Sequence, residues 1–144
     1  MGTRSTIGAR KDGSYIFIFC HWDGYYEHNG KILYKHYQNP EKVKQLLNLG
    51  DLSTLGKNIG TKHDFNESPE DECNAYIRDR GETTKENYYQ TVLESEVNDY
   101  LKEQWDREFL YIYDYDTNEW LANEHTSIKK LKPLKDILEE LDDE

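Results

Sequence analysis

The 144-residue chain has no long apolar run. Its most hydrophobic stretch, YIFIFC at positions 15–20, is far shorter than the roughly 20 residues a membrane-spanning helix needs, so no membrane partner is expected. It is also poor in basic charge. Eighteen Lys and Arg stand against 29 Asp and Glu, giving a net charge of −11 and a pI near 4.9. Duplex nucleic acid is bound by cationic side chains that displace phosphate counterions, so the chain as a whole is not expected to bind it. A local basic patch stays open. The acidity serves solubility, or it serves mimicry of a polyanion or docking on a basic protein face.

Cysteine is scarce as well. Nothing pairs Cys20 with Cys73, the opening residues lack the apolar core of a signal peptide, and reduced thiols in a cytosol are the expectation. No CxxC or HxxxH spacing occurs. Cys20, His21, Asp23 and His28 lie close in sequence, but a strand puts Cys20 and His21 on opposite faces, so they cannot jointly grip one ion. A Cys20 nucleophile would need His36, His63 or His125 brought to it by the fold. Gly56-x-x-x-Gly60 lacks the lysine of a phosphate loop. The expectation is therefore no enzyme: no catalytic residue, no metal and no cofactor.

What the chain does have is aromatics: twelve Tyr, three Trp and four Phe, a content that argues against disorder and for a thin, aromatic-rich core. The length fits one domain over residues 1–144. Lys11-Asp12-Gly13-Ser14 is a hairpin signal between strands at 4–10 and 15–22. In the second strand Tyr15, Phe17, Phe19 and His21 share one face. Ile16, Ile18, Cys20 and Trp22 share the other, so the strand is central and covered on both sides. After a loop at 23–28, Asn29 is read as the cap of a helix through Ile32, Leu33, His36 and Tyr37. Asn39-Pro40 caps another, with Val43, Leu46 and Leu47 inward and Gly50 at its end.

Residues 51–55 read as a tight turn and 56–72 as a mobile acidic loop. Residues 74–80 read as a strand, with Tyr76, Arg78 and Arg80 on one face. Residues 86–105 read as a strand at 88–93 plus a helix from 95 to Trp105, or as one long helix opened by a Thr83–Glu86 capping box. A second hairpin spans 109–122, with Phe109, Tyr111, Tyr113 and Tyr115 on one face. A final helix from Pro133 turns Leu134, Ile137, Leu138 and Leu141 inward, and Asp142, Asp143 and Glu144 fray against the negative end of the helix dipole. These elements predict an α+β fold: a mostly antiparallel sheet of five to six strands with helices packed mainly on one face. Tyr15, Phe17, Phe19, Tyr111 and Tyr113 are read as one aromatic face larger than the helices can cover. Such a face predicts a homo-oligomer.

Two groups of residues are candidate contacts. Arg4 and Arg10 share a parity on the first strand, and Tyr76, Arg78 and Arg80 share one on another. Arginines beside aromatic rings bind phosphates and stack bases; they equally pair with the abundant carboxylates. The second group is Trp22, Asp23 and Tyr25 in the first long loop, a structural support or a binding rim.

Thr3-Arg4-Ser5-Thr6-Ile7-Gly8, Cys20-His21-Trp22-Asp23-Gly24-Tyr25, Asn29-Gly30-Lys31, His36-Tyr37, Leu49-Gly50-Asp51-Leu52-Ser53 and Arg78-Asp79-Arg80-Gly81-Glu82 together resemble an uncharacterised family of small tailed-bacteriophage proteins. The resemblance spans residues 3–82 and, more loosely, the 109–120 hairpin. Tyr26 stands where that family's loop often carries a small or acidic residue. The resemblance implies a setting, the cytoplasm of an infected bacterial host, and no chemistry. In that setting the expected function is binding and inhibition of a host protein, such as a component of anti-phage defence. The alternative is sequestration of a small phosphorylated nucleotide signal by Arg4, Tyr76, Arg78 and Arg80.

Overall fold

Asp12 (φ 51°) and Gly13 (φ 78°) both take left-handed backbone, the signature of a two-residue type I′ turn. They join β1 (Ser5–Lys11) to β2 (Ser14–Cys20), with Ile7 opposite Ile18 and Gly8 opposite Phe17. A π-helical turn (Tyr26–Gly30) leads into α1 (Lys31–His36) and α2 (Pro40–Asn48). Then follow β3 (Leu52–Thr54), β4 (Asn74–Ala75), α3 (Tyr76–Arg80), β5 (Gln90–Leu93) and α4 (Val97–Glu103). The chain closes with β6 (Phe109–Asp114), β7 (Glu119–Asn123), β8 (Lys132–Pro133) and α5 (Leu134–Asp142). This computed structural model describes residues 2–104, 106–124 and 128–142. Trp105, His125 and residues 143–144, which enter the readings above, lie outside the described residues.

The strands form one sheet in the order β4-β3-β2-β1-β6-β7-β8, and β5 joins the outer edge of β2 beside β3. Among the described strands only β1–β6 and β2–β3 are parallel, so the fold is α+β with a mostly antiparallel sheet. Among the described residues it has eight strands rather than five or six. The additional two, β3 and β8, are three and two residues long, too short to display an alternating pattern. The segment at 51–55, expected as a turn, supplies β3. The expected strand at 74–80 stops at Ala75 and becomes α3, because the Asp79 carboxylate accepts the Ala75 N–H (2.8 Å) and Gly81 (φ 77°) closes the helix in left-handed backbone. Asn29 is no helix cap; it lies within the π-helical turn with its side chain buried. Asn39 does cap α2, accepting the Glu41 N–H at 2.9 Å with Pro40 behind it. Residues 88–103 follow the strand-plus-helix reading.

Both sheet faces are covered within the chain. On one, α1, α2 and α5 bring Leu33, Val43, Leu46, Leu134 and Leu138 onto Ile7, Ile18, Tyr111, Tyr113 and Trp120. On the other, α4 brings Val97 and Leu101 onto Tyr15, Phe17, Leu110 and Ile112. The expected single aromatic face therefore does not exist. Gly8 faces both Phe17 and Ile112, so Phe17 shares its face with Ile112 while Tyr111 lies on the opposite one. Parity within each strand was legible, but the register between strands divides the aromatics. Tyr15, Phe17, Tyr111 and Tyr113 are all buried, and Phe19 is covered by the Arg107 guanidinium, 4.7 Å from its ring. The physical ground for expecting an oligomer through an open aromatic face is thereby removed.

One junction holds the outer edge of β2 together. β5 pairs with β2 only as far as Phe17, and β3 takes over at Cys20. Between them the Phe19 N–H is met by the Asp51 carboxylate at 2.8 Å. The Asp51 N–H donates to the Asn87 carbonyl (2.8 Å), and its own carbonyl accepts the Tyr76 N–H (3.2 Å). Burial raises the Asp51 carboxyl from its ordinary 3.8 to about 6, although the Phe19 N–H and Arg107 oppose that rise.

Because the folded protein binds this proton more tightly than the unfolded chain, the contribution of Asp51 to stability is fully present below about pH 4 and is lost as pH rises through about 6. Asp51→Asn keeps an oxygen acceptor for Phe19 and removes the ionisation. It should stabilise the protein by up to about 3 kcal/mol at pH 7.5 and by almost nothing at pH 4, read as the difference between wild-type and variant melting curves. Gly8→Ala would place a methyl 2.4 Å from the Phe17 ring and 2.5 Å from the Ile16 carbonyl, and should cost about 1–3 kcal/mol in the same melts.

Candidate functional site

The loop after β2 is built rigidly from short-range chemistry. Asp23 takes left-handed backbone (φ 58°), and Gly24 lies so close to β1 that a Cβ there would stand 2.8 Å from Ser5 Cβ and 2.9 Å from the Thr3 carbonyl. The Gly24 N–H donates to that carbonyl (2.8 Å), and the buried Tyr111 hydroxyl donates to the Gly24 carbonyl (2.6 Å). Asn29 completes the brace beneath, its amide facing Ser5 Oγ, Cys20 Sγ and the Trp22 carbonyl. The rings left outside are Trp22, 42% exposed, and Tyr25, 37% exposed, with Tyr25 leaning on His28.

The parallel β2–β3 pairing then brings the 56–72 segment against this loop. Gly56 passes the Glu72 backbone so closely that a Cβ would sit 2.4 Å from it, and the Tyr37 hydroxyl holds the Gly56 carbonyl at 2.7 Å. Asn58 donates to the Asp71 carbonyl, Cys73 donates back to the Asn58 carbonyl, and Glu72 Oε1 accepts the Thr61 N–H. Expected as a mobile loop, the segment is tied to the body at many points. A groove of about 420 Å³ lies between the two segments, lined by Asp23, His28, Thr54, Glu70, Asp71 and Glu72 among others. Lys57 reaches Asp71 at 3.8 Å; Asp23 and Glu70 have no ion-pair partner among the described residues.

The arginines of the candidate phosphate site do not converge. Arg4 stands just before β1 and Arg10 lies within it, and Arg10 is paired with the Asp114 carboxylate of β6, which it holds below the usual carboxylate range against the effect of burial. Arg78 and Arg80 sit on α3 beyond β4, not on a strand face. Arg78 donates from Nε and Nη2 to Asp79, from Nη1 to the Ile59 carbonyl (2.9 Å) and from Nη2 to the Cys73 carbonyl (2.8 Å). It is a brace for the 56–72 segment. The Asp79 side chain is fully buried; burial would raise its pKa, but Arg78 and the Ala75 and His63 N–H groups hold it below the ordinary value. His63 extends the brace, its Nε2 2.9 Å from Asn74 Oδ1 and its Nδ1 2.9 Å from the Thr61 carbonyl. Arg80 pairs with Glu82 at 2.8 Å and lies over Phe65, whose ring also packs on Tyr76. Of the seven candidate contact residues, the structure brings together Trp22, Asp23 and Tyr25, and separates Arg4 from Tyr76, Arg78 and Arg80.

Cys20 is buried against Asn29, and burial pushes its thiol up to about 12, so it is not a thiolate at neutral pH. Among the described residues no group of three or more His, Cys, Asp or Glu side chains is arranged to hold a metal ion. Comparison with protein-family models, curated proteins and solved structures finds no match for this chain. In the sequence, Asp23 and His28 belong to one loop and Glu70, Asp71 and Glu72 to the acidic 56–72 stretch, with nothing to join them. Their convergence depends on a parallel strand pairing with no local signal. The bracing roles of Asn29 and Asp51 have no local signal because Ser5 and Phe19 are remote in sequence, and that of Asp79 has none because it appears only once 76–80 is helical rather than extended.

The two arginines of α3 should therefore behave differently. Arg78→Ala strands a buried carboxylate and should cost about 3 kcal/mol or more in thermal melts, with Arg78→Lys failing to restore the two-pronged contact. Arg80→Ala removes an exposed pair and should cost less than about 1 kcal/mol.

Proposed function

We propose that this protein acts by binding a partner protein rather than by chemistry, and that it seats a basic segment of that partner in the groove between the 23–28 and 56–72 segments. The observation that carries this reading is the convergence of Asp23, Glu70, Asp71 and Glu72, against Lys57 alone, on one groove bordered by the loop that carries the exposed rings of Trp22 and Tyr25. Carboxylates attract lysine and arginine, and exposed aromatic faces receive guanidinium groups and supply the large contact area that anchors an interface. A net charge of −11 adds long-range attraction for a basic partner. The resemblance to small tailed-phage proteins gives the setting: the host cytoplasm, with a host protein, such as a defence component, as the inhibited target. Sequestration of a phosphorylated nucleotide is the weaker reading, since Arg10, Arg78 and Arg80 already face carboxylates within the chain.

The test compares two variants in infected-host lysate, with native mass spectrometry of the recovered complexes. Asp23→Asn with Glu70→Lys lowers the groove's negative charge while respecting the left-handed backbone at position 23. It should slow partner association roughly tenfold, and raised salt should weaken the wild-type complex. Arg80→Ala should bind as wild type. A retained nucleotide lost on Arg80→Ala, with the groove variant unaffected, would overturn the protein-binding reading in favour of the nucleotide trap.

A further inference from the structure

We propose that the outer edge of β5 is a strand-addition site for an extended, lysine- or arginine-bearing segment of a partner protein. It is a surface separate from the groove and does not rest on it. Among the described residues the sheet has three places where a strand could be added. The two ends are blunted as natural sheet edges are. β4 has two residues and runs straight into α3; β8 has two and ends in Pro133, which has no N–H to offer. β5 is different. Gln90-Thr91-Val92-Leu93 carries no charge and no proline, and it lies outermost against β2.

The direction of its backbone groups follows from the ladder. The Phe19 N–H points to the outer side of β2, where Asp51 meets it. Residues of the same parity, Tyr15 and Phe17, direct their groups the same way, towards their partners Val92 and Gln90. Thr91 and Leu93 therefore direct their N–H and C=O groups away from the sheet. No backbone hydrogen bond reaches either from that side among the described residues. Both side chains are exposed, Leu93 at 56%, and Tyr88 and Tyr89 extend the apolar rim at 44% and 41%. An unpaired, uncharged edge flanked by exposed rings is what an added strand uses: main-chain bonds for affinity and alternate side chains for selectivity.

Charge selects the occupant. Glu86, Glu94 and Glu96 flank the strand and are exposed, against Lys85 alone. A segment with basic residues complements them. A second copy does not, since pairing would bring together two chains of net charge −11.

The probe is a labelled eight-residue peptide of alternating lysine and valine, with an alternating glutamate and valine peptide as control, followed by amide exchange on the intact protein. The lysine peptide should bind, and the Thr91 and Leu93 amides should exchange fast in the free protein and become protected on binding, while Gln90 and Val92 are protected throughout. Thr91→Pro removes one outward N–H and should weaken binding roughly tenfold, whereas Thr91→Val should bind as wild type. Should the proline variant fail to fold, the exchange pattern of the wild type decides alone. The proposal is overturned by protection of Thr91 and Leu93 in the free protein, by equal binding of the control peptide, or by undiminished binding to a folded Thr91→Pro. Protection that grows with protein concentration and no peptide overturns it in favour of a second copy. Peptide-induced changes confined to the 23–28 and 70–72 segments overturn it too, and leave the groove reading standing.

Discussion

A single carboxylate spans the place where the sheet changes partners. β2 is the longest-serving strand of the fold, pairing along one side with β1 and along the other first with β5 and then with β3. Two short strands of opposite direction cannot meet without leaving a ladder group unpaired, and an unpaired buried N–H is costly. Asp51 fills that gap with its side chain while its backbone binds Asn87 and Tyr76. The position of α3, the start of β5 and the approach of the 56–72 segment all follow from where β3 is held. The carboxylate does this at an electrostatic cost, visible in its raised pKa. A neutral amide could make the same bond to Phe19, so the acid at this position is not explained by the hydrogen bond alone.

The rest of the molecule is held by aromatic residues used at both ends. A chain with 35% hydrophobic residues and 33% charged ones has little aliphatic material for a core. Buried tyrosine and tryptophan supply large apolar area and must also satisfy a polar tip. Here those tips are spent on loops. Tyr111 holds Gly24, Tyr37 holds Gly56, and Trp120 Nε1 holds the Tyr37 carbonyl at the end of α1. The two segments that border the groove are thus each fixed by a hydroxyl rising from the core. Substituting phenylalanine at Tyr37 or Tyr111 would preserve most of the packing and release the loop, so the rigidity of the groove is separable from the stability of the sheet.

How much of this was legible in the sequence depends on the range of the interaction. Asp12-Gly13, Asn39-Pro40 and the alternation in β2 and β6 are local signals, and each element stands where its residues indicate. The long-range terms were not legible. Nothing in 109–115 reveals that β6 runs parallel to β1, yet that register decides which aromatics share a face. Nothing in 51–55 reveals a strand, because three residues display no period. At 74–80 the alternating pattern was real but was overridden by Asp79 and Gly81, which close a helical turn. Trp22, Asp23 and Tyr25 were found as a group because a single loop carries them. The sequence left Arg78 open between binding and pairing, because a guanidinium on a bracing side chain has the same spelling as one on a binding surface.

Charge explains why the two candidate contact surfaces can coexist on a small domain. The 18 cationic residues are outnumbered by 29 acidic ones, and several of the cations are drawn inward: Arg10 to Asp114, Arg78 to Asp79, Arg107 over Phe19. Arg10 and Arg78 each take a buried carboxylate inward with them, so the remaining surface keeps the acidic balance of the composition. Acidic residues such as Glu70 and Glu94 then remain outward, near the groove and near the edge of β5 respectively. Self-association is resisted by the same field that attracts a basic partner, and an uncharged edge such as β5 can stay open without copies of the chain adding to one another. Arg78 thus bears on binding without touching a partner: by tying the 56–72 segment from within, it fixes the shape of an exterior whose selectivity rests on charge.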